Sequence, residues 1–143
     1  MKKKVWELTV LDNPNRVVMG ENDEFYTTDT EAFLVFQLMD ADFNPTTATL
    51  TLVNASDNSV INETVPVIDK EIKWEMTEEA IAHFGNWQAQ LVYMQEKAGK
   101  VEHYTSPVVQ FDVRSHLMTG RQPTLGAIED WNTFMGTAEK QRG

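Results

Sequence analysis

One segment of this sequence has the residue types and spacing of a metal site. From Asp40 to Asn44 the chain reads Asp-Ala-Asp-Phe-Asn, which places side-chain oxygens at alternate positions, as in the first half of a calcium-binding loop. A helix-loop-helix calcium site needs glycine where Pro45 stands and a bidentate glutamate where Thr51 stands. We therefore interpret the segment as a turn in which Asp and Asn side chains bond to their own backbone.

The histidines and the glutamates offer weaker alternatives. The three histidines lack the ligand spacing of a zinc site and fall on a predicted helix end, a strand and a linker; they are His83, His103 and His116. Four glutamates provide carboxylate pairs of the kind used in glycoside hydrolysis; they are Glu71, Glu75, Glu78 and Glu79. Two of them point to different sides of a helix and two lie on a strand away from its apolar face, so solvated edges explain them better.

Motifs for other chemistry do not occur in the sequence. It contains no nucleophile elbow, phosphate loop, dinucleotide fingerprint or Ser-His-Asp order. It also has no cysteine, which excludes a disulfide framework, a thiolate metal site and a cysteine nucleophile. We predict that the chain has no catalytic, metal-binding or cofactor-binding residues, uses no cofactor and is not an enzyme.

Length and charge restrict the partners. The 143 residues suit one domain plus an appendage. The net charge is -10, and such a surface repels phosphate backbones, so no nucleic acid partner is expected. The sequence has neither the unbroken apolar run of an export signal nor the roughly 20 apolar residues that cross a bilayer. We expect a soluble protein without a membrane partner.

Alternating apolar residues predict strands. Leu34, Phe36 and Leu38 share one parity, and the pattern resumes on the far side of a turn in residues 48–53. We expect these two strands to form a hairpin. Residues 60–67 predict a short edge strand, because Pro66 has no N–H to donate to a ladder.

The second half of the chain continues in the same way. Residues 72–76 alternate and lead into a short helix at 78–84, which Thr77 caps and Gly85 ends in the left-handed conformation. Residues 87–93 and 101–105 predict a hairpin around a turn at 97–100, and after the break at Ser106-Pro107 residues 109–113 form the last strand. Near the N-terminus, residues 3–11 predict a strand, followed by a long loop at 12–29 with one short strand at 16–19.

Together these elements predict an all-β fold. About seven or eight short strands at hairpin spacing are typical of a β-sandwich. We assign residues 1–114 to this domain, 115–123 to a linker and 124–143 to a C-terminal helical segment. In the last segment, apolar residues recur at spacings of three and four, as on one face of an amphipathic helix; they are Leu125, Ile128, Trp131, Phe134 and Met135. This face either packs on its own sandwich or forms an interface with another subunit.

The order of these segments resembles the N-terminal domain of upper baseplate proteins from siphophages of Gram-positive bacteria. The resemblance covers residues 5–114 and rests on an apolar pattern, a glycine after a short helix and a Thr-Ser before the last strand. It is carried by residues 33–38, a Pro-containing turn, residues 48–53, 77–80 and 85–91, and Tyr104-Thr105-Ser106-Pro107 running into residues 111–113. Family members often continue into a sizeable C-terminal domain, whereas only 29 residues follow Arg114 here.

The resemblance implies an immunoglobulin-like sandwich without enzymatic activity. It implies a virion protein of the tail baseplate, made in the cytoplasm of the bacterial host. It further implies docking to the tail hub through the distal tail protein, contact with a receptor-binding protein, and assembly of copies into trimers or larger rings.

A carbohydrate-binding module that contacts the host cell surface is the alternative function. β-Sandwiches of that class present aromatic side chains to sugars, and the candidate platforms are Trp6, Trp74, Trp87, Tyr26 and Tyr104. Trp74 and Trp87 share the apolar parity of their strands, which favours burial in the core.

Overall fold

The computed structural model describes residues 1–12 and 14–115. In this part of the chain there are ten strands and one helix. The strands are β1 (Lys2–Thr9), β2 (Arg16–Asn22), β3 (Phe25–Tyr26), β4 (Ala32–Leu38), β5 (Thr47–Asn54), β6 (Val60–Pro66), β7 (Glu71–Glu75), β8 (Gly85–Lys97), β9 (Lys100–Thr105) and β10 (Val109–Arg114), and the helix is α1 (Glu78–Ala82). Met1–Phe25 and Asp29–Val113 form one compact unit.

The strands form two sheets. The first has the order β2-β1-β4-β7, and the second has the order β3-β10-β8-β5-β6, with β9 paired to β8. In the first sheet β4 pairs with β7, and the second sheet contains the strand order β10-β8-β5-β6. This is the arrangement of an immunoglobulin-like sandwich. The predicted fold class is confirmed. The structure has ten strands where about seven or eight were predicted. β3 lies in the expected loop at 12–29, and in the same region β2 extends to Asn22 instead of ending at Met19.

The predicted hairpin between β4 and β5 is wrong. β4 pairs with β1 in parallel and with β7 in antiparallel fashion, whereas β5 pairs with β6 and β8 in the other sheet. The connection therefore crosses from one sheet to the other. On the way it buries Phe43, whose ring packs edge-on against Tyr93 of β8 at 5.9 Å between centroids. Alternation shows which face of a strand is buried, but it does not identify the neighbouring strand.

The hairpin of β8 and β9 is confirmed. Ala98 and Gly99 occupy its turn with φ values of 53° and 77°. While β5 pairs along one edge of β8, the other edge is long enough to pair with two strands, since β9 pairs with its second half and β10 with its first half. At the break between them, Ser106 donates its N–H to the Leu91 carbonyl at 2.8 Å and accepts the Leu91 N–H on Oγ at 3.0 Å.

The helix begins as predicted and ends earlier. Thr77 Oγ1 accepts the Ala80 N–H at 3.2 Å, which is the expected N-cap. The helix ends at Ala82, with His83 in an extended conformation, so Gly85 is not its C-cap. Gly85 instead has a φ of 120° as the first residue of β8. The helix ends early because of tertiary contacts: the side chains of Asn54 and Trp87 donate hydrogen bonds to the carbonyls of His83 and Phe84.

Aromatic rings join the two sheets across the core. Trp6 of β1 stacks on Phe36 of β4 with centroids 5.3 Å apart and meets Phe111 of β10 at 6.0 Å. Phe111 in turn stacks on Trp87 of β8 at 6.4 Å. β6 is the edge strand of its sheet, as Pro66 predicted.

Candidate functional site

The calcium-like segment is a structural anchor. Asp40 is buried, and its carboxylate accepts the backbone N–H groups of Val10 at 2.8 Å and Leu11 at 3.2 Å. The segment is thus a turn, as predicted, but the Asp40 carboxylate bonds the backbone just after β1 and not, as predicted, the backbone of its own turn. Charge-assisted bonds of this kind are about twice as strong as neutral ones.

A lysine supplies the positive charge that a calcium ion would bring to such a loop. The Lys70 ammonium donates to the carbonyls of Asp40, of Ala41 at 2.9 Å and of Phe43 at 3.1 Å. Lys70 itself has a φ of 64° in the tight turn before β7. Within the described residues, no group of three or more His, Cys, Asp or Glu side chains is arranged to hold a metal ion.

Asp40→Ala is expected to lower the free energy of unfolding by about 2–4 kcal/mol, because two N–H groups at the end of β1 lose a charged acceptor. Asp42→Ala is the matched control, since Asp42 is exposed in the same segment and its loss is expected to cost under about 0.5 kcal/mol. Urea unfolding followed by tryptophan fluorescence measures both values. A calcium-dependent rise in stability that both variants lose would contradict the structural role.

His83 lies in a hydrogen-bonded cluster that lacks catalytic geometry. Its Nδ1 is 2.6 Å from Asp57 Oδ2 and 3.5 Å from Ser59 Oγ. A relay needs the acid and the hydroxyl on opposite ring nitrogens, whereas here both meet the same one. Hydrogen bonds from the side chain and backbone of Ser59, and then from His83, lower the pKa of Asp57 to about 2. The cluster therefore holds a carboxylate that stays charged at neutral pH.

The other candidates for chemistry are separate from this cluster. His103 is exposed on β9, and His116 lies outside the described residues. Glu75, Glu78 and Glu79 are exposed, as expected of solvated edges. Glu71 is half-buried, and its carboxylate accepts a bond from Gln37 Nε2 at 3.3 Å.

A cleft of about 680 Å³ opens between the edge strands β6 and β7. Val65, Ile72 and Trp74 are buried along it, and Trp74 Nε1 donates to Glu63 Oε1 at 3.0 Å. The indole is 7% exposed, so its face is not available for stacking on a sugar.

Three of the remaining aromatic candidates for sugar binding are also engaged in packing: Trp6, Trp87 and Tyr104. Trp6 and Trp87 are buried, which confirms the prediction that Trp87, like Trp74, belongs to the core. Tyr104 is half-buried: its ring packs against Phe43 at 4.8 Å, and its hydroxyl donates to Glu102 Oε1 at 3.0 Å. These contacts favour a structural role over sugar binding for these residues.

The sequence did not predict a hydrogen-bonded corner at one end of the sandwich. We call residues 54–59 and 83–86 the Asn54 corner. The fully buried Asn54 donates from Nδ2 to the carbonyls of His83 at 3.3 Å and Phe84 at 3.2 Å, and its Oδ1 accepts the N–H groups of Ser56 at 2.7 Å and Asp57 at 3.2 Å. One amide side chain thus ties a turn to the segment between α1 and β8. The only sequence signal was the turn-forming run that starts at Asn54.

The predicted interface residues Leu125, Ile128, Trp131, Phe134 and Met135 lie outside the described residues, as does the predicted C-terminal helix. Their role stays a prediction. Among the described residues, no helix has the length and apolar character needed to span a membrane.

Comparisons with known proteins relate the chain to others by fold. No protein-family model matches it. No curated protein matches it either. Among solved structures, it is similar to the N-terminal domain of phage TP901-1 ORF48, with 15% sequence identity and a TM-score of 0.55 over 80% of this chain and 99% of that chain. The sandwich that the sequence resemblance implied is therefore confirmed, and it is a fold shared with the N-terminal domain of a phage protein.

Proposed function

We propose that this chain is a non-enzymatic structural subunit of a phage tail baseplate, which docks to the distal tail protein and to copies of itself. The observation that carries the proposal is the fold shared with a phage domain over 99% of that domain's length. It agrees with the baseplate resemblance of residues 5–114, which was drawn from the order of segments alone. The protein is then a component of the virion, synthesised in the host cytoplasm.

Hydrogen bonds from polar side chains to the backbone support a structural role. Asp40, Lys70 and Asn54 all hold backbone segments together through several hydrogen bonds each. The His83 cluster has both partners on one ring nitrogen, which suits a turn and not proton transfer. These groups stabilise the fold, which leaves the surface for contacts with other proteins.

The C-terminal segment is proposed to join copies into trimers or larger rings. Its apolar stripe from Leu125 to Met135 has the spacing of a helix face, and burial of a large apolar side chain contributes about 1.5–3 kcal/mol before ordering costs. A receptor-binding protein is a further proposed partner in the same assembly.

The test compares the full chain with a variant that carries Ile128→Ser, Trp131→Ser and Phe134→Ser. A matched control carries Glu129→Ser and Asn132→Ser, which alter neighbouring polar positions. Light scattering is expected to give a mass of three or more chains for the original protein and the control, and a lower mass for the apolar variant. Unchanged mass in the apolar variant contradicts self-assembly through this segment.

Docking to the hub is measured separately, by a pull-down with the purified distal tail protein of the same phage. Binding is expected for the original chain. The alternative, a carbohydrate-binding module, is tested by titrating host cell-wall saccharides while following tryptophan fluorescence. A saturable change in fluorescence together with no binding to the distal tail protein would favour the module.

A further inference from the structure

β2 is an exposed strand at the edge of the first sheet. In the described part of the chain it has one neighbour there, β1, so its other edge is open. All seven of its residues are exposed. They include three consecutive apolar residues, Val17 at 38%, Val18 at 60% and Met19 at 39%. Single apolar residues are normal on a surface, whereas an exposed apolar edge strand is a template for pairing with another strand.

The other edge strands of the described chain carry features that discourage such pairing. β6 ends in Pro66, β7 has Lys73 at its centre, β9 begins with Lys100, and β3 has only two residues. Proline, charged side chains and short length are the usual means by which proteins protect a sheet edge. In β2 the charges lie near the ends, at Arg16 and Glu21, and the residues between them are uncharged.

The apolar part of β2 is regular and open on both faces. Residues 16–19 pair with β1 in unbroken register, and the irregularity of this ladder lies beyond Met19. Opposite residues of antiparallel strands share a face, so Val17 opposite Leu8 and Met19 opposite Trp6 lie on the core face of the sheet. Both are nevertheless exposed, because the second sheet does not cover this edge of the first.

The sequence of β2 is complementary to itself. If two copies pair antiparallel across a two-fold axis at Val18, each Val18 faces its counterpart and each Val17 faces Met19 of the other copy. Every apolar side chain of the strand then meets an apolar one. An axis at Met19 would instead set Val17 against Glu21. The pattern therefore favours a second copy as the occupant and Val18 as the centre.

The charges around β2 permit this pairing although the chain has a net charge of -10. Within the strand, antiparallel pairing places Arg16 of one copy near Glu21 of the other and keeps like charges apart. Both charges are also paired in their own chain, because Arg16 Nη2 lies 2.9 Å from Asp12 Oδ2 and Lys3 Nζ lies 3.2 Å from Glu21 Oε1. Glu7, which faces β2 from β1, is separated from its counterpart by both β2 strands.

We infer that β2 pairs antiparallel with β2 of a second copy across a two-fold axis at Val18, which joins the two four-stranded sheets into one. The inference rests on the proposed docking between copies and gives it a contact separate from the C-terminal segment. A single pair of strands buries little area, so the contact is weak for free chains. Chains that are already linked elsewhere meet at a high effective concentration, at which a weak contact suffices.

Cysteine cross-linking tests the pairing, since the chain has no cysteine of its own. Val18→Cys places one thiol at the axis, where Cα atoms of opposite residues are about 4.5–5.5 Å apart and a disulfide can form. With oxidised glutathione as the oxidant, the full chain with Val18→Cys is expected to form linked dimers at least about fivefold faster than the control. The matched control is Val60→Cys, which lies on the edge strand β6 and is 58% exposed.

Charge exchange at the same position provides an independent readout. In the Val18→Glu variant alone or the Val18→Lys variant alone, like charges meet across the axis, so the mass from light scattering at high protein concentration is expected to fall about twofold. An equal mixture of the two variants is expected to restore the mass, because opposite charges then face each other. Val60→Glu is the control and is expected to leave the mass unchanged. Thermal melting confirms that each variant is folded.

The outcomes distinguish this contact from the C-terminal one. If Val18→Cys links no faster than Val60→Cys and both charged variants keep the original mass, pairing through β2 is wrong, while assembly through residues 125–135 stands. If the variant with Ile128→Ser, Trp131→Ser and Phe134→Ser keeps its mass but the Val18→Cys cross-link forms, the C-terminal contact is wrong and pairing through β2 stands.

Amide hydrogen exchange of residues 16–19 identifies any other occupant of the edge. Protection that rises with protein concentration is expected for a second copy. Protection at every concentration means that the same chain covers the edge, and protection that appears only with the distal tail protein means that this protein covers it. Either of the last two results overturns the pairing of β2 with itself.

Discussion

Trp87→Ala is expected to destabilise the domain by about 3–5 kcal/mol, the largest effect among the substitutions considered. The indole is 1% exposed and stacks on Phe111 with ring planes 8° apart, so alanine leaves a large cavity in the core. It also removes the Nε1–H that donates to the His83 carbonyl at 3.0 Å. The loss therefore combines apolar burial with one buried hydrogen bond.

Urea unfolding followed by far-UV circular dichroism measures this value. Trp87→Phe is the control, since it keeps a stacking ring but removes the donor, and an intermediate cost of about 1–3 kcal/mol is expected. Phe84→Ala, at an exposed position three residues earlier, is expected to cost under about 0.5 kcal/mol. Equal effects of Trp87→Ala and Phe84→Ala would be incompatible with Trp87 in the core.

Gly85→Ala is expected to cost about 2–4 kcal/mol, from a backbone penalty and a steric one. The φ of 120° is unfavourable for alanine, and the new Cβ would lie 2.2 Å from Ser56 Oγ and 2.9 Å from Ser56 Cβ. Ser56 cannot simply withdraw, because its N–H bonds Asn54 Oδ1 at 2.7 Å. The same urea experiment measures the loss.

Two variants separate the backbone penalty from the steric one. Gly99→Ala is the matched control, because Gly99 also has a positive φ, of 77°, but a Cβ there meets nothing within 4 Å, so only about 1–2 kcal/mol is expected. Ser56→Gly in the Gly85→Ala background removes the clash and is expected to recover part of the stability. Equal costs for Gly85→Ala and Gly99→Ala, with no recovery, would refute the steric contribution.

The prediction of Trp87 as a core residue illustrates what can be inferred from local pattern. It follows from the parity that Trp87 shares with Ala89, Leu91 and Tyr93, all of which are buried. The same reasoning gives the apolar faces of β4, β5 and β10. Thr77 as a helix cap and the Lys97–Lys100 turn follow from equally local chemistry. Such features depend on residues a few positions apart, which a sequence displays directly.

The candidate site was predicted less well. The absence of a calcium loop follows from Pro45 and Thr51, but the role of Lys70 in the same segment does not, because Lys70 lies 30 residues from Asp40. The Asn54 corner was missed for the same reason. Asn54 bonds carbonyls 29 and 30 residues away, and no periodicity in the sequence indicates such a distance.

By itself, the sequence determined every strand of the described chain except β3, which strand faces are buried, and that the strands make an all-β sandwich. Side-chain alternation with a period of two is imposed by the geometry of each strand and needs no knowledge of its neighbours. Only the tertiary structure decided that β4 and β5 lie in different sheets, that β1 runs parallel to β4, and that Gly85 lies against Ser56 instead of capping a helix. Those outcomes depend on which distant segments supply hydrogen-bond partners and packing surfaces. These pairings form only when the whole core is assembled, so no single segment indicates them.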